Sequence, residues 1–164
     1  MSVLRYYLRD TQTNVGTGGI IFDLSLDVGT SSPNSESENS NAFTEVAAWQ
    51  QKVNNFIGGT SFPYSFNISS ISGTLEYRFR LQRVDSSNVV QASSSYSTTY
   101  STVGIKTGTF TFSTAWNFGD RLRVSLEIRR SGGHGNVTVT INLNDSATYV
   151  DASIAYYNNF ITMF

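Results

Sequence analysis

The sequence predicts an all-β fold, an antiparallel two-sheet jelly-roll sandwich of about eight to ten strands. Three observations support this class. Apolar residues recur at every second position in several short segments, as they do on strands with one buried face. The 164-residue chain contains 11 Phe and 9 Tyr, and aromatic residues favour strands. Turn-forming residues separate the alternating segments.

The alternating segments follow one another from the N-terminus. Strands are predicted around these apolar positions: Tyr6 and Leu8; Ile20, Phe22, Leu24 and Leu26; Tyr64, Phe66 and Ile68; Leu75, Tyr77, Phe79 and Leu81; Phe110 and Phe112; Leu122, Val124, Leu126 and Ile128; Val137, Val139, Ile141 and Leu143. Two more strands are predicted at Val89 to Ser97 and at Tyr149 to Ile154. The stretch 43–54 fits both helical and strand spacing, and we interpret it as a strand.

Connections and boundaries follow from glycine content and polarity. The glycine-rich stretch 131–136 predicts a hairpin loop between the strands on either side of it. Residues 30–41 contain no large apolar side chain, so burial cannot repay the entropy of ordering them. We therefore predict a long exposed Ser/Asn-rich loop at 30–41. The predicted domain spans residues 1–155, and residues 156–164 form an apolar C-terminal tail.

Composition excludes several classes of protein. The absence of cysteine excludes disulfide scaffolds, thiolate metal sites and cysteine nucleophiles. A formal net charge of −1 gives no field that favours nucleic acid or an anionic membrane. The first residues lack the apolar core of a signal peptide, and no segment approaches the length of a membrane span. We expect synthesis in a cytoplasm, with export only as part of a larger particle.

Catalytic chemistry is poorly represented. His134 is the only histidine and lies among glycines, which excludes multi-histidine metal sites and disfavours a Ser-His-Asp triad. Glu76 and Glu127 lie on predicted polar faces next to arginines, so we interpret them as cross-strand ion-pair partners rather than a glycosidase pair. A Ca²⁺ site that uses Asp120, Asp145 or Asp151 stays open, although their spacing does not favour one. We predict neither enzymatic activity nor a cofactor.

Arginines are concentrated on the predicted strands, which predicts a basic patch on one sheet. The residues concerned are Arg78, Arg80, Arg83, Arg121, Arg123, Arg129 and Arg130. Binding to nucleic acid would require exposed aromatic rings between these arginines. Tyr77 and Phe79 point to the opposite face, so carboxylates of a partner protein or simple solubility explain the arginines better.

Four segments resemble parts of a known protein group. The segments Leu4 to Thr11, Gly18 to Ser25, Leu75 to Val84 and Trp116 to Val124, in this order, resemble small jelly-roll structural proteins of tailed phages. Within that group the chain looks like the capsid cement, or decoration, proteins. The resemblance implies a non-enzymatic homotrimer on the outside of the virion head that binds the major capsid protein and is synthesised in the host cytoplasm.

Two candidate binding surfaces follow. The tail supplies the partner-binding candidates for a cement protein, because apolar residues left over after the last strand usually mark an interface; they are Tyr156, Tyr157, Phe160, Ile161, Met163 and Phe164. The chain also resembles carbohydrate-binding jelly rolls of phage tails and fibres. That alternative requires an exposed stacking platform, for which Trp49, Trp116 and Tyr64 are the candidates.

Overall fold

The computed structural model describes residues 2–12, 21–51, 58–117 and 119–154, in which every regular element is a strand. None of these residues belongs to a helix long and apolar enough to cross a membrane. The described strands are β1 (Ser2–Leu8), β2 (Ile21–Ser25), β3 (Ser32–Glu38), β4 (Thr44–Gln51), β5 (Ser61–Ser72), β6 (Leu75–Val84), β7 (Val90–Ser93), β8 (Gly104–Thr111), β9 (Arg121–Arg130), β10 (Val137–Leu143) and β11 (Tyr149–Ile154).

Eight of the strands form two sheets that pack against each other. The first sheet has the order β3-β10-β5-β8, and the second has the order β4-β9-β6-β7. From β3 to β10, every two consecutive strands lie in different sheets except β6 and β7, which are neighbours in the second sheet. This is the connectivity of a jelly roll. The predicted all-β sandwich is therefore confirmed.

Three further strands modify the predicted layout. Strands β11, β1 and β2 continue the hydrogen bonding from β5 round to β4, so the two sheets are joined on that side into one sheet of eleven strands. Among the described strands, all pairs are antiparallel except β2 and β4, which are parallel. The number of strands exceeds the predicted eight to ten because the polar strand β3 was not anticipated.

The core lies between the sheets and is built from the inward residues that the alternation predicts. Phe66 of β5 contacts Phe79 of β6 across the two sheets, with ring centroids 4.2 Å apart. Tyr64 stacks on Phe110 of the neighbouring strand at 4.4 Å. Burial of these large rings contributes to the hydrophobic stabilisation between the two sheets.

The predicted hairpin at residues 131–136 is wrong. Strand β9 pairs with β4 and β6, whereas β10 pairs with β3 and β5, so the connection crosses from one sheet to the other. Both strands face the same core, and an alternating pattern does not distinguish a turn within a sheet from a crossing between sheets. Glycines suit either connection because both require left-handed backbone, here at Gly133 and Gly135.

The predicted loop at residues 30–41 is also wrong in its central part, where Ser32–Glu38 forms β3. This strand lies at the edge of the first sheet and pairs along its whole length with β10. Its outward hydroxyl groups bond across the strands, Ser35 to Thr140 at 2.9 Å and Ser37 to Thr138 at 2.8 Å. Backbone pairing and these hydroxyl bonds order a strand that buries no large apolar side chain.

Two predicted segments are refined. The ambiguous stretch 43–54 is a strand over Thr44–Gln51, as predicted. The segment predicted at Val89 to Ser97 forms β7 only over Val90–Ser93. Beyond it, the chain follows the edge of β6 through backbone bonds from Ser94 to Leu81 at 2.8 Å and from Ser97 to Phe79 at 2.7 Å.

One end of the sandwich carries four of the crossings between the sheets, those that join β3 to β4, β5 to β6, β7 to β8 and β9 to β10. The connections are 39–43, 73–74, 131–136 and the last part, 101–103, of the connection 94–103. They lie at the same end because the strand pairings place the end of β3, β5 and β9 and the start of β4, β6, β8 and β10 on this side of the sandwich. We call this end of the molecule the arch end. It positions the pocket described below.

Candidate functional site

Strands β6 and β9 bring the predicted arginines onto one face. In the pairing of these strands, Arg78 lies opposite Glu127 and Gln82 lies opposite Arg123. The even-numbered residues of β6 and the odd-numbered residues of β9 therefore share the outer face of the second sheet. Five of the seven arginines lie on this face, and we call it the arginine face; they are Arg78, Arg80, Arg121, Arg123 and Arg129. Arg83 and Arg130 have the opposite parity.

The arginine face contains its own counter-charges. Glu127 accepts a hydrogen bond from Arg78 at 2.7 Å and another from the Tyr96 hydroxyl at 2.9 Å. A terminal nitrogen of a second arginine, Arg80, lies 3.5 Å from the other carboxylate oxygen of Glu127. Glu127 is 5% exposed, so it is a buried partner of two arginines and not the surface residue that the alternation suggested.

The other carboxylates on this face are paired as well. Glu76 accepts a hydrogen bond from Arg129 at 2.7 Å, and Glu45 forms an ion pair with Arg123. The predicted cross-strand pairing of Glu76 and Glu127 with arginines is thus confirmed.

Aromatic rings cover part of the arginine face. The Arg78 guanidinium lies between two rings, 3.8 Å from the centre of Phe43 and 3.4 Å from that of Tyr96. Burial raises the pKa of the Tyr96 hydroxyl, and its hydrogen bond to Glu127 raises it further. Together, Tyr96 and Arg78 contact Glu127, which is one of the buried charged residues of the protein.

A pocket of about 490 Å³ opens at the arch end, next to the arginine face. The start of β6, the end of β9 and two of the crossings contribute to it. Its lining residues are Asn41, Glu76, Arg129, Arg130, Ser131, Gly132 and Gly133. The pocket thus combines groups that are up to 92 residues apart in the sequence, Asn41 and Gly133.

The two arginines of the pocket differ in their partners. Arg129 is paired with Glu76, whereas Arg130 donates from Nε to the Asn41 side-chain oxygen at 3.0 Å and from a terminal nitrogen to the Gly135 carbonyl at 3.4 Å. Within the described ranges, no carboxylate contacts Arg130. The pocket therefore holds one positive charge that lacks a counter-charge. The sequence signal for it is the pair Arg129-Arg130 directly before Ser-Gly-Gly, but its significance depends on the fold.

The sequence candidates for catalysis do not converge. His134 is exposed on the 131–136 crossing, as predicted for a turn residue. Asp120 lies 3.6 Å from Arg83, Asp145 accepts from Asn67 at 3.1 Å, and Asp151 accepts from Arg5 at 2.8 Å. Among the residues that the structure describes, no three His, Asp or Glu side chains are grouped to hold a metal ion.

The proposed glycan platform requires a correction. Trp49 is 0% exposed, Trp116 is 7% exposed and Tyr64 is 5% exposed. Each ring packs in the core: Trp49 stacks on Phe22, Trp116 contacts Phe62, and Tyr64 stacks on Phe66. Stacking on a sugar requires an exposed ring face, so these three residues do not form a platform.

The predicted partner-binding residues of the C-terminal tail lie outside the described residues. They are Tyr156, Tyr157, Phe160, Ile161, Met163 and Phe164.

Comparison with known proteins identifies the fold but no family. No protein family matches the sequence, and no curated protein matches it either. The chain is similar in structure to a CocE/NonD family hydrolase from Staphylococcus aureus, SACOL2612, with a TM-score of 0.53 and 7% identity. The match covers 94% of this chain but only 37% of the hydrolase, so the likeness concerns the fold of one part of that enzyme.

Two virus structures match more weakly. The structure of infectious bursal disease virus strain Gt has a TM-score of 0.32 and 13% identity, over 92% of this chain and 44% of that one. The Gx strain has a TM-score of 0.30 and 12% identity, over 88% and 45%. TM-scores this low do not establish a shared fold.

Proposed function

We propose that this protein is a non-enzymatic structural protein of a virion, a cement protein that binds the outside of a tailed-phage head. It attaches to the major capsid protein as a homotrimer and stabilises the assembled shell. The resemblance of four sequence segments to such proteins supports the choice of particle, and the arch end supports the mode of attachment.

The observation that carries this proposal is the composition of the arch end. Four connections meet there on a rigid two-sheet support, an arrangement in which loops commonly carry binding function. Val103 is 51% exposed at this end, and Ile105, which follows on β8, is 58% exposed. Arg130 adds a positive charge without a counter-charge. Exposed apolar side chains and an arginine at the same end of the molecule are a combination that protein–protein interfaces favour.

The polar groups elsewhere favour a structural role over catalysis. The carboxylates of the arginine face are held by arginines, and His134 lies on an exposed connection. A general base must be free to take up a proton at a fixed position. These groups instead hold strands and connections together.

The test is to follow an affinity-tagged chain through infection. We expect it to band with intact particles in a density gradient and to be accessible to antibody on the outside of the heads. Removal of the chain should lower the temperature at which the heads release their DNA. A chain that stays out of the particle fraction throughout infection would contradict the proposal. Antibody labelling confined to tails would contradict attachment to the head and would place the protein on the tail.

A further inference from the structure

We infer that the arch-end pocket binds a carboxylate side chain of the partner protein and that Arg130 is the residue that recognises it. The inference rests on the proposed function for the identity of the partner as a protein. The pocket, its positive charge and the choice of a carboxylate as its ligand are argued from the structure alone.

Arg130 is already oriented for this role. Its Nε donates to Asn41 at 3.0 Å, which fixes the plane of the guanidinium. One terminal nitrogen contacts Gly135 at the long distance of 3.4 Å, and the other has no hydrogen-bond partner in the described residues. The two terminal nitrogens of an arginine match the two oxygens of a carboxylate in a bidentate pair. Orientation before binding lowers the entropy that the ligand must repay.

The glycines of the 131–136 crossing supply additional donors. The Ser131 N–H donates to the Thr74 carbonyl at 2.9 Å, but the N–H groups of Gly132 and Gly133 have no acceptor among the residues described. Gly133 has a φ of +74°, a left-handed conformation in which successive amides can form an anion-binding concavity. A Cβ added at Gly133 would meet no atom within 4 Å, so this side of the crossing is open to a ligand.

The charge of the pocket favours a carboxylate over phosphate groups. Two arginines and one glutamate line it, and Glu76 neutralises Arg129. The single remaining positive charge matches a monoanion. Nucleic acid requires several unpaired cations along its backbone, whereas Arg78, Arg80 and Arg123 of the arginine face are paired with glutamates.

The experiment is an NMR titration of the isolated full chain with the peptide acetyl-Glu-Glu-Glu-amide. We expect saturable shifts of the Gly132 and Gly133 amides and of the Arg130 Nε–H signal, with a Kd of about 1 mM, because few contacts are made. Arg130→Gln should weaken binding at least about tenfold. Arg130→Lys keeps the positive charge but lacks the planar guanidinium, so its affinity for the peptide should lie between that of the unmodified chain and that of Arg130→Gln.

The matched control is Arg5→Gln, which removes an arginine from β1 that is paired with Asp151 and should bind the peptide as the unmodified chain does. The absence of saturable shifts at roughly ten times the expected Kd would overturn the inference. Tighter binding of a phosphoserine tripeptide or of an oligothymidylate would overturn the assignment of a carboxylate. If the peptide binds but the protein does not attach to particles, the pocket assignment stands and the proposed attachment to a phage head is rejected. If the protein attaches to particles but the peptide does not bind, only the pocket assignment is rejected.

Discussion

At the residue scale, the stability of the second sheet depends on a buried carboxylate. Glu127 lies under Tyr96 and between two arginines, and its side chain is only 7% exposed. Arg78 and Arg80 would repel each other without it. Burial of such a group is costly unless its partners are all present, so the loss of one partner affects the others.

We predict that Glu127→Gln destabilises the protein by about 2–4 kcal/mol, because it leaves Arg78 and Arg80 without a counter-charge in a partly buried site. Glu76→Gln is the matched control on the same face. Its side chain is 30% exposed and that of its partner Arg129 is 40% exposed, so the cost should be below about 1 kcal/mol. Urea unfolding of both variants measures the difference. Equal costs would show that burial does not set the strength of these pairs.

Two glutamates of β3 are predicted to respond to pH with opposite sign. Burial raises the pKa of Glu36, so its charged form is disfavoured in the folded state. Glu36→Gln should therefore raise the unfolding temperature at pH 7, and the gain should vanish as the pH falls below 4.5, the ordinary pKa of this group.

The comparison variant is Glu38→Gln on the same strand. Hydrogen bonds from the amides of Ser40 and Asn39 lower the pKa of Glu38, so its charged form stabilises the folded state. The substitution should lower the unfolding temperature at pH 7, and the loss should disappear as the pH falls through the lowered pKa. Thermal unfolding at a series of pH values distinguishes the two, and curves that move in the same direction would contradict the prediction.

At the scale of elements, the tightest crossing depends on a glycine. The β5–β6 connection has only two residues, and Gly73 within it has a φ of +81°. An added Cβ would lie 2.7 Å from Val137. Gly133 has a similar φ of +74° but open space around it. Both glycines therefore adopt left-handed backbone that would be strained in alanine, and the two positions differ in crowding.

We predict that Gly133→Ala costs about 1 kcal/mol from the left-handed backbone alone. Gly73→Ala should cost roughly 2–4 kcal/mol, because overpacking against Val137 adds to the strain. Both costs can be measured from the midpoints of urea unfolding, provided that the dependence of the free energy of unfolding on urea concentration is unchanged. If the two costs are equal, the crossing adjusts to the extra methyl group and the contact with Val137 is not limiting.

The strands were predictable where the two faces of a strand differ. Strands β6, β9 and β10 place large apolar residues at every second position, and sequence periodicity identifies them. Strand β3 has polar residues on both faces, so its order depends on hydrogen bonds to β10, which the local sequence does not reveal. Which strands pair is likewise a property of the fold, and this is why the crossing at 131–136 was mistaken for a hairpin.

The candidate site follows the same division. The clustering of arginines on one face could be predicted, since it needs only the parity of two strands. Burial of Glu127 could not, because Tyr96 and Phe43 come from segments outside those strands. The pocket was missed because Asn41 meets Arg130 only after both crossings are formed. The burial of Trp49 could not be predicted either, because it depends on how the two sheets pack and not on the residue type.

At the scale of the whole molecule, the jelly-roll connectivity separates support from surface. The two sheets bury the aromatic core, while the four crossings at the arch end connect the sheets outside this core. Attachment through that end would leave the sheets intact. A second contact from the apolar tail would multiply the strength of the first, because two linked contacts on one particle bind with an increased effective concentration.

The tail provides the prediction at this scale. Strand β11 pairs with β1 through Ile154 and with β5 at Tyr149 and Val150, so all eleven described strands are complete before residue 155. We predict that deletion of residues 156–164 leaves the unfolding temperature within about 2 °C of the full chain, since no described strand is removed. Particle binding should weaken at least about tenfold, because a large apolar side chain contributes about 1.5–3 kcal/mol when it is buried and ordering costs remove only part of this.

Co-sedimentation with heads that lack the protein measures the binding, and a chain whose tail is replaced by nine Ser and Gly residues controls for length. The replacement should bind as weakly as the deletion, because the prediction attributes binding to the apolar side chains. A truncated chain that unfolds would show that residues 156–164 complete the core of the domain. A truncated chain that folds and binds heads with unchanged strength would restrict attachment to the arch end, where Arg130→Gln should then account for the contact by itself.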